Sequence, residues 1–465
     1  MFILLLLFML CFCKDHQLSN LKTLLEQQGN LMRKDKNLQN ILSSWIQQKS
    51  LSGNESGVQQ LIQKELLNLG METTLYELNI EDLKQNKYFV SNRKDFKGSP
   101  NLIGILRGKY SKGTDSIVID SQGNQNQQQQ HRRHLGRSVI LNGHVDVVHE
   151  GDNQWKLDPY SGHNDGQRIY GRGSTDMKGG IFSSFLALKM LQNLDIELDG
   201  DVIFQSVIEE ESGGAGTLST VLKGFHADAA IIPEPTQLKI FPKQQGSMWF
   251  RIHVFGLSAH GGTRYEGVSA IEKSMLVINA IKKLEDERNQ RVKSTDPLYK
   301  DLPIPIPINV GKIHGGKWPS SVADLVILEG RIGVSPSETL ENAREELHKA
   351  LVNIEDEWIR QHPVKLEFFG AHWLPGGIDL NHDIVKKISE AYEEVLNGKP
   401  VIESSPWGTD GGYLSYNGIP AVVFGPGTTS LAHQVDESID IDNMISCAKV
   451  IALTLVNFCN NRVAG

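Results

Sequence analysis

Short apolar runs recur along the first half of the chain, each followed by a polar or glycine-rich turn. Nearly unbroken runs such as SVILNGHVDVV, DVIFQSVI and AAII are typical of strands buried on both faces of a mostly parallel sheet. Between them, KGGIFSSFLALKMLQNL has the apolar spacing of a helix. This alternation predicts an α/β fold, in which a mostly parallel mixed sheet is sandwiched between helices.

The order of elements changes between residues 243 and 370. The strand-like run SMWFRIHVFG is followed by a helical stretch, two further strands, a long helix and the strand PVKLEFFG. A strand–helix–strand–strand–helix–strand order is the signature of a small ferredoxin-like α+β domain. Because the α/β pattern then resumes, we expect this domain to be inserted into a larger one formed by residues 14–242 and 371–465.

The chain starts with the apolar run MFILLLLFMLCFC, followed by a polar stretch. A helix that spans a membrane needs about 20 apolar residues, and this run is shorter. It predicts a signal peptide over residues 1–13, no stable membrane anchor, and a secretory protein that is extracellular or in a vacuolar or lysosomal lumen. The alternative is an N-terminal helix packed into the fold. The Gln-rich segment 121–137 predicts a disordered surface insertion.

Composition and charge narrow the class of protein. A length of 465 residues exceeds what one ordinary core holds, which favours two domains. The hydrophobic content of 39% and the charged content of 22% are ordinary for a globular protein. The formal net charge is −8 and no basic stripe is present, so we expect no nucleic-acid partner.

Side chains that can bind metals follow several of the strand-like runs: His144, Asp176, Glu211, Glu234 and His433. An α/β fold places its sites where the strands of one sheet end, so we expect these side chains to meet. Two histidines with three acids, one of them shared, form a set that holds two cations. Asp146 lies on the same strand face as His144 and is placed to orient its ring.

Taken alone, each of these residues has an ordinary structural interpretation. Two more His-x-Asp triplets start at His163 and His226, so the triplet at His144 is not specific. Asp176 is also suited to cap the helix that follows it. The acids 209–211 are more informative, because three carboxylates at the end of a buried strand repel one another unless a cation or a shared proton is present.

With these motifs in order, the chain resembles the dinuclear zinc amidohydrolases, a family that includes acetylornithine deacetylase, succinyl-diaminopimelate desuccinylase, aminoacylase and carboxypeptidase G. The resemblance runs from about Leu38 to Leu455. The matching stretches are GHVDVV, the W-x-x-x-P of Trp155 to Pro159, YGRGSTDMKGG, EEESGG, PEPT, GLSAHGG, GTDGG and the GPG that precedes His433. Such a series in one order is highly specific.

The resemblance implies two Zn²⁺ per subunit, with Co²⁺ or Mn²⁺ as substitutes. His144 and Glu234 would hold one ion, Glu211 and His433 would hold the other, and Asp176 would bridge them. The ions would polarise the scissile carbonyl and activate a bridging water as hydroxide.

The resemblance also implies roles for residues that do not bind metal. Glu210 would be the general base, and Asp146 would support His144. In the inserted lid and dimerisation domain, His260 would reach the substrate and Arg331 would grip a carboxylate. Ser320–Ser321 stands where many relatives carry an asparagine, which bears on the specificity of this lid.

These implications predict a secreted hydrolase that cleaves the amide bond of N-acyl amino acids or small peptides and forms a homodimer. A di- or aminopeptidase on the same fold is the alternative within the enzyme class. A non-catalytic binding homologue is the alternative outside it, and the intact set of general base and metal ligands argues against it.

The N-terminal run generates the first testable prediction. When the chain is expressed in a eukaryotic cell, we expect export and removal of residues 1–13, because the run is short, apolar and terminal. Sequencing of the exported product should give a new N-terminus near Lys14. A cytosolic protein that retains Met1 would contradict this localisation.

Overall fold

The computed structural model describes residues 20–111 and 136–460. The predicted signal peptide lies outside these residues. The predicted Gln-rich insertion, 121–137, also lies outside them except for its last two residues.

The described residues form two larger sheets, with helices packed against both, and one two-stranded sheet. The elements up to the second sheet are α1 (Leu21–Lys34), α2 (Lys36–Ile46), α3 (Ser56–Asn68), β1 (Glu72–Glu77), α4 (Ile80–Leu83), β2 (Pro100–Leu106), β3 (Val139–His144), β4 (Arg168–Tyr170), α5 (Gly179–Asn193), β5 (Val202–Val207), α6 (Ala215–Leu222), β6 (Ala229–Ile232) and β7 (Ile240–Gln244). They continue with β8 (Gly246–Phe255), α7 (Ala270–Thr295), β9 (Ile308–Gly315), β10 (Leu325–Val334), α8 (Leu340–Val352), α9 (Glu357–Gln361), β11 (Lys365–Trp373), β12 (Gly376–Gly377), α10 (Asp383–Leu396), β13 (Ile402–Ser405), α11 (Gly411–Tyr416), β14 (Ala421–Val423), β15 (Ser438–Asp440) and α12 (Ile441–Cys459).

The large sheet has the order β1-β2-β5-β3-β6-β14-β7-β12, with β13 paired to β7. Its central strands β5, β3, β6 and β14 run parallel, whereas the pairs β1–β2, β2–β5, β14–β7 and β7–β12 are antiparallel. All residues of β3, β5 and β6 are buried, which explains their mostly apolar sequences. The α/β class with a mixed sheet is confirmed, with most of the parallel pairing concentrated at its centre.

Two groups of helices cover this sheet. Helices α5, α12, α10 and α1 contact one another, and α6 contacts α4 and α11. Among the described helices, α12 is the one long and apolar enough to match a membrane span, but 78% of that apolar window is buried inside the protein. It starts at Asp440, whose side chain accepts a hydrogen bond from the backbone N–H of Asn443. Helix α12 therefore serves as a core helix.

The second sheet is antiparallel and has the order β11-β8-β10-β9, with α7 and α8 packed against it. Its elements follow the order that the sequence predicts for residues 243–370. Along β8, Met248, Phe250, Ile252 and Val254 are buried, while the alternate residues Trp249, Arg251 and His253 are more exposed. The second sheet thus turns one apolar face to the helices and keeps polar and aromatic side chains on the other.

Candidate metal centre

Three neighbouring parallel strands end at one edge of the large sheet and deliver the first residues of the site. β3 ends at His144, which lies opposite Val207 at the end of β5. Glu210 and Glu211 follow β5, and Glu234 follows β6. Because β5, β3 and β6 are adjacent and parallel, these acids and His144 meet at the same edge.

His144 and two carboxylates form the first cluster. Nε2 of His144 lies 3.2 Å from Oδ1 of Asp176 and 3.8 Å from Oε1 of Glu234. Burial opposes protonation of His144, yet the hydrogen bond to Asp176 and the charge of Glu234 raise its pKa well above the ordinary value. One protonated imidazole cannot neutralise the several carboxylates that surround it.

The second cluster shares Asp176 with the first. Nε2 of His433 lies 3.3 Å from Oδ2 of Asp176 and 3.0 Å from Oε1 of Glu211. Hydrogen bonds with Asp176 and Glu211 raise the pKa of His433 to about 11. In each cluster the ligand atoms lie within 4.8 Å of one another.

The two clusters fit a pair of cations. Asp176 presents one carboxylate oxygen to each histidine, as a bridging ligand must. Burial raises the pKa of Glu234 well above its ordinary value, and the charge of Asp176 adds to this effect. Positive ions would relieve this repulsion and displace the protons from the histidines, so cation binding and proton release are coupled.

Glu437 fixes the backbone at Thr175 and Asp176. Its Oε1 accepts hydrogen bonds from the backbone N–H groups of Thr175 (2.9 Å) and Asp176 (3.1 Å), and its Oε2 lies 2.7 Å from Nη1 of Arg172. Burial and the charge of Asp176 raise the pKa of Glu437 to about 7. The sequence analysis missed this buried pair, although Glu437 lies only four residues after His433.

Asp146 acts differently from its predicted role. The nearest Asp146 atom to Nδ1 of His144 is the backbone carbonyl oxygen at 2.9 Å, and the carboxylate Oδ1 is 3.6 Å away. The carboxylate instead accepts hydrogen bonds from the backbone N–H groups of Glu210 (3.3 Å) and Glu211 (3.1 Å). Asp146 therefore orients the imidazole ring through its main chain and fixes the two glutamates through its side chain.

Glu210 is buried and faces the first cluster. Its Oε1 accepts a hydrogen bond from Nε1 of Trp373 at 3.0 Å, and its Oε2 lies 4.0 Å from Nε2 of His144. Burial raises the pKa of Glu210 well above the ordinary value, and the charge of His144 counteracts this effect. A carboxylate with a raised pKa, held by one oxygen and free at the other, is suited to accept a proton.

Glu209, for which the sequence suggests no role, anchors the turn that carries both glutamates. Its φ of 65° lies in the left-handed region, which costs free energy in a residue other than glycine. Its buried carboxylate accepts hydrogen bonds from the hydroxyl of Ser52, from the hydroxyl of Ser91 at 3.1 Å and from Arg93 at 3.4 Å. These contacts keep the strained turn in place.

A cavity of about 600 Å³ joins the two sheets at this site. Asp176, Glu210 and Arg331 line it, as do other predicted residues of the site. His260 is not among the described residues that line the cavity. Its side chain is exposed, and its Nδ1 accepts a hydrogen bond from the backbone N–H of Gly262 at 3.0 Å.

Comparisons with known proteins found relatives of this chain in sequence and in fold. The sequence model of peptidase family M20/M25/M40 matches residues 140–457. The N-formyl-4-amino-5-aminomethyl-2-methylpyrimidine deformylase of Bacillus subtilis (strain 168) is 31% identical over 390 residues, which cover 79% of this chain and 85% of that protein. Acetylornithine deacetylase of Shigella sonnei (strain Ss046) is 29% identical over 326 residues, 69% of this chain and 80% of that protein. The fold is similar to that of an M20 family metallo-carboxypeptidase from Sulfolobus solfataricus, with a TM-score of 0.67, 17% identity, and 91% and 99% of the two chains covered.

The geometry at residues 210 and 211 generates a paired prediction. Glu210→Gln should keep both cations but lower turnover by about a thousandfold, because the amide cannot accept a proton. Glu211→Gln should lose one cation, because it removes a charged ligand from the second cluster. Elemental analysis and steady-state kinetics on the two purified variants separate these effects. If the two results were exchanged, the roles of the two glutamates would be reversed.

Proposed function

This chain belongs to peptidase family M20/M25/M40 and is a metallo-hydrolase of amide C–N bonds, and from this premise we propose that it hydrolyses N-acyl amino acids. The products are a carboxylate and a free amino acid. The leader-like N-terminus supports action in the secretory pathway, with the final compartment extracellular, vacuolar or lysosomal.

The observation that carries this proposal is the position of Arg331. Arg331 belongs to β10 of the second sheet and lines the same cavity as the two clusters. Among the described residues, no carboxylate pairs with its guanidinium, and burial lowers its pKa. A partly buried charge that has no counter-charge in the protein favours a ligand of opposite charge. A carboxylate fits this requirement, because it binds a guanidinium through two parallel hydrogen bonds.

The side chains divide the chemistry between them. His144 and Glu234 would hold one cation and Glu211 and His433 the other, with Asp176 shared. Zinc, or cobalt or manganese in its place, would polarise the amide carbonyl and acidify water. Glu210 would then accept a proton from the attacking water at its free Oε2 and donate it to the departing amine nitrogen.

A second candidate reaction is deformylation of an N-formyl aminomethylpyrimidine. It is favoured by the 31% identity with a deformylase over 79% of the chain. Cleavage of dipeptides is the remaining alternative. Hydrolysis of N-acyl amino acids is the one reaction of the three that requires a free α-carboxylate on the substrate and no free amino group. A panel of substrates therefore separates the three reactions.

Arg331 generates the prediction that tests the proposal. The metal-loaded protein should hydrolyse N-acetyl amino acids faster than their carboxamides, the N-formyl pyrimidine or dipeptides. Arg331→Met should lower kcat/KM for the N-acetyl amino acids by about tenfold to a hundredfold, because a charge-assisted pair of hydrogen bonds is lost. Arg251→Met is the matched control, since Arg251 lies on the same face of the second sheet and already pairs with Glu329. Equal activity on free acids and carboxamides would contradict the proposal.

We also propose that the second sheet forms a homodimer that places His260 in the partner's site. Exposed apolar side chains lie in the two turns that meet at His260: Tyr265, 82% exposed, in the turn that His260 caps, and Trp318, 69% exposed, in the turn that ends at Ser321. Ile271 and Met275 on α7 are exposed as well. Large exposed apolar side chains are common at interfaces, and pairing would carry His260 towards a cavity that it does not line within its own chain.

Mixing two inactive variants tests this dimer. Under conditions in which subunits exchange, His260→Ala and Glu210→Ala should together recover part of the activity, because one hybrid site then contains both residues. Glu210→Ala mixed with Glu211→Ala is the control, since both changes damage the site of their own chain. No recovery despite demonstrated subunit exchange would exclude action of His260 across the interface.

A further inference from the structure

Besides the metal ligands, the lining of the cavity contains a set of aromatic side chains. The chain contains seven tryptophans, and three of them, Trp249, Trp373 and Trp407, line this one cavity. Trp249 belongs to β8 and Trp373 ends β11, whereas Trp407 lies in the loop between β13 and α11. Aromatic walls thus reach the cavity from both sheets.

Two of these rings are held in fixed orientations by their neighbours. The Nε1 of Trp373 donates hydrogen bonds to the carbonyl oxygen of Glu210 at 3.2 Å and to its Oε1 at 3.0 Å. The ring of Trp407 packs edge-on against Phe241, with 6.0 Å between ring centroids. The walls are therefore built before any ligand arrives, which reduces the ordering that binding requires.

Trp249 stands in a row with Arg331 across the second sheet. Arg331 on β10 and Phe369 on β11 are its direct cross-strand partners. Side chains in such a row share one face and lie next to each other. The centroids of the Trp249 and Phe369 rings are 6.1 Å apart, in an edge-on arrangement. A carboxylate held by Arg331 would consequently lie beside an indole surface.

The next row of side chains on the same face contains carboxylates that pair with its arginine, whereas the row of Trp249 and Arg331 contains none. There, Arg251 contacts Glu329 at 2.5 Å and Glu367 at 4.0 Å. Arg331 has no such partner among the described residues, and the acids that line the cavity are the metal ligands and Glu210. Apart from the metal ligands and Glu210, the described lining therefore offers a cation for a carboxylate and flat apolar walls, with no carboxylate for an ammonium group on the substrate's side chain.

Resting on the function proposed above, we propose that the preferred substrate is an N-acyl amino acid with an aromatic side chain. Its carboxylate binds Arg331, its ring lies between Trp249 and Trp407, and its amide faces the two clusters. A flat ring gains more from indole walls than a branched aliphatic side chain of similar size, because aromatic pairs attract each other beyond their buried area. A long side chain that ends in an ammonium group would lack a counter-charge here.

Kinetics on matched substrates test this assignment. For the metal-loaded protein, kcat/KM should be about tenfold higher for N-acetylphenylalanine than for N-acetylleucine, and lower still for N-acetylalanine and N-acetylornithine. Trp407→Leu should bring the phenylalanine-to-leucine ratio close to one, whereas Trp407→Phe should keep most of it. Trp358→Leu is the control, because Trp358 stacks on His362 outside the cavity lining.

The outcomes distinguish failure of the aromatic preference from failure of the proposed hydrolysis of N-acyl amino acids. If the leucine and alanine derivatives are hydrolysed as fast as the phenylalanine derivative, the aromatic preference is wrong while the proposed function stands. If N-acetylornithine is preferred, the argument from missing counter-charge is wrong. If no N-acetyl amino acid is hydrolysed, both fail. If Trp407→Leu and Trp407→Phe lower the phenylalanine-to-leucine ratio equally, the ring at 407 does not recognise the substrate.

Discussion

The crowding of negative charge around Asp176 is the constraint on which the rest of the site depends. The carboxylate of Asp176 contacts two histidines, and further acids lie nearby at the ends of β5 and β6, the strands on either side of β3. Such a group is unstable without positive charge, so the surrounding structure must hold it together by other means. Backbone N–H groups directed at Asp146 and Glu437 provide part of this support, and they fix the chain segments that carry the acids.

Strain and support occur together in this region. His433 and Glu209 both adopt left-handed backbone conformations, with φ of 61° and 65°. Residues other than glycine keep such conformations only where neighbouring contacts impose them, and these positions are common at functional sites. At Glu209 the imposing contacts come from Ser91 and Arg93, which lie far away in sequence. The precise direction of Glu210 therefore depends on segments that take no part in the chemistry.

Sequence reasoning went furthest where a local pattern determines the structure. Continuous apolar runs located β3, β5 and β6, and the acids and His144 at their ends meet as expected for parallel neighbours. Features that depend on side-chain direction could not be obtained this way. The spacing of His144 and Asp146 is the same whether the carboxylate or the carbonyl oxygen contacts the ring, and only coordinates distinguish the two. Likewise, nothing in the sequence marks Trp407 and Trp249 as neighbours of one cavity.

The insertion of the second sheet has a consequence for how the protein is synthesised. All strands of that sheet are made consecutively, so it can form from nearby segments as the chain emerges. The large sheet cannot, because β14 lies between β6 and β7 although it is made long after both. His433 follows β14, so the second cluster is completed only near the end of synthesis. During translation, the face of the second sheet that carries Trp249 and Arg331 can therefore form before the chain is able to hydrolyse a substrate.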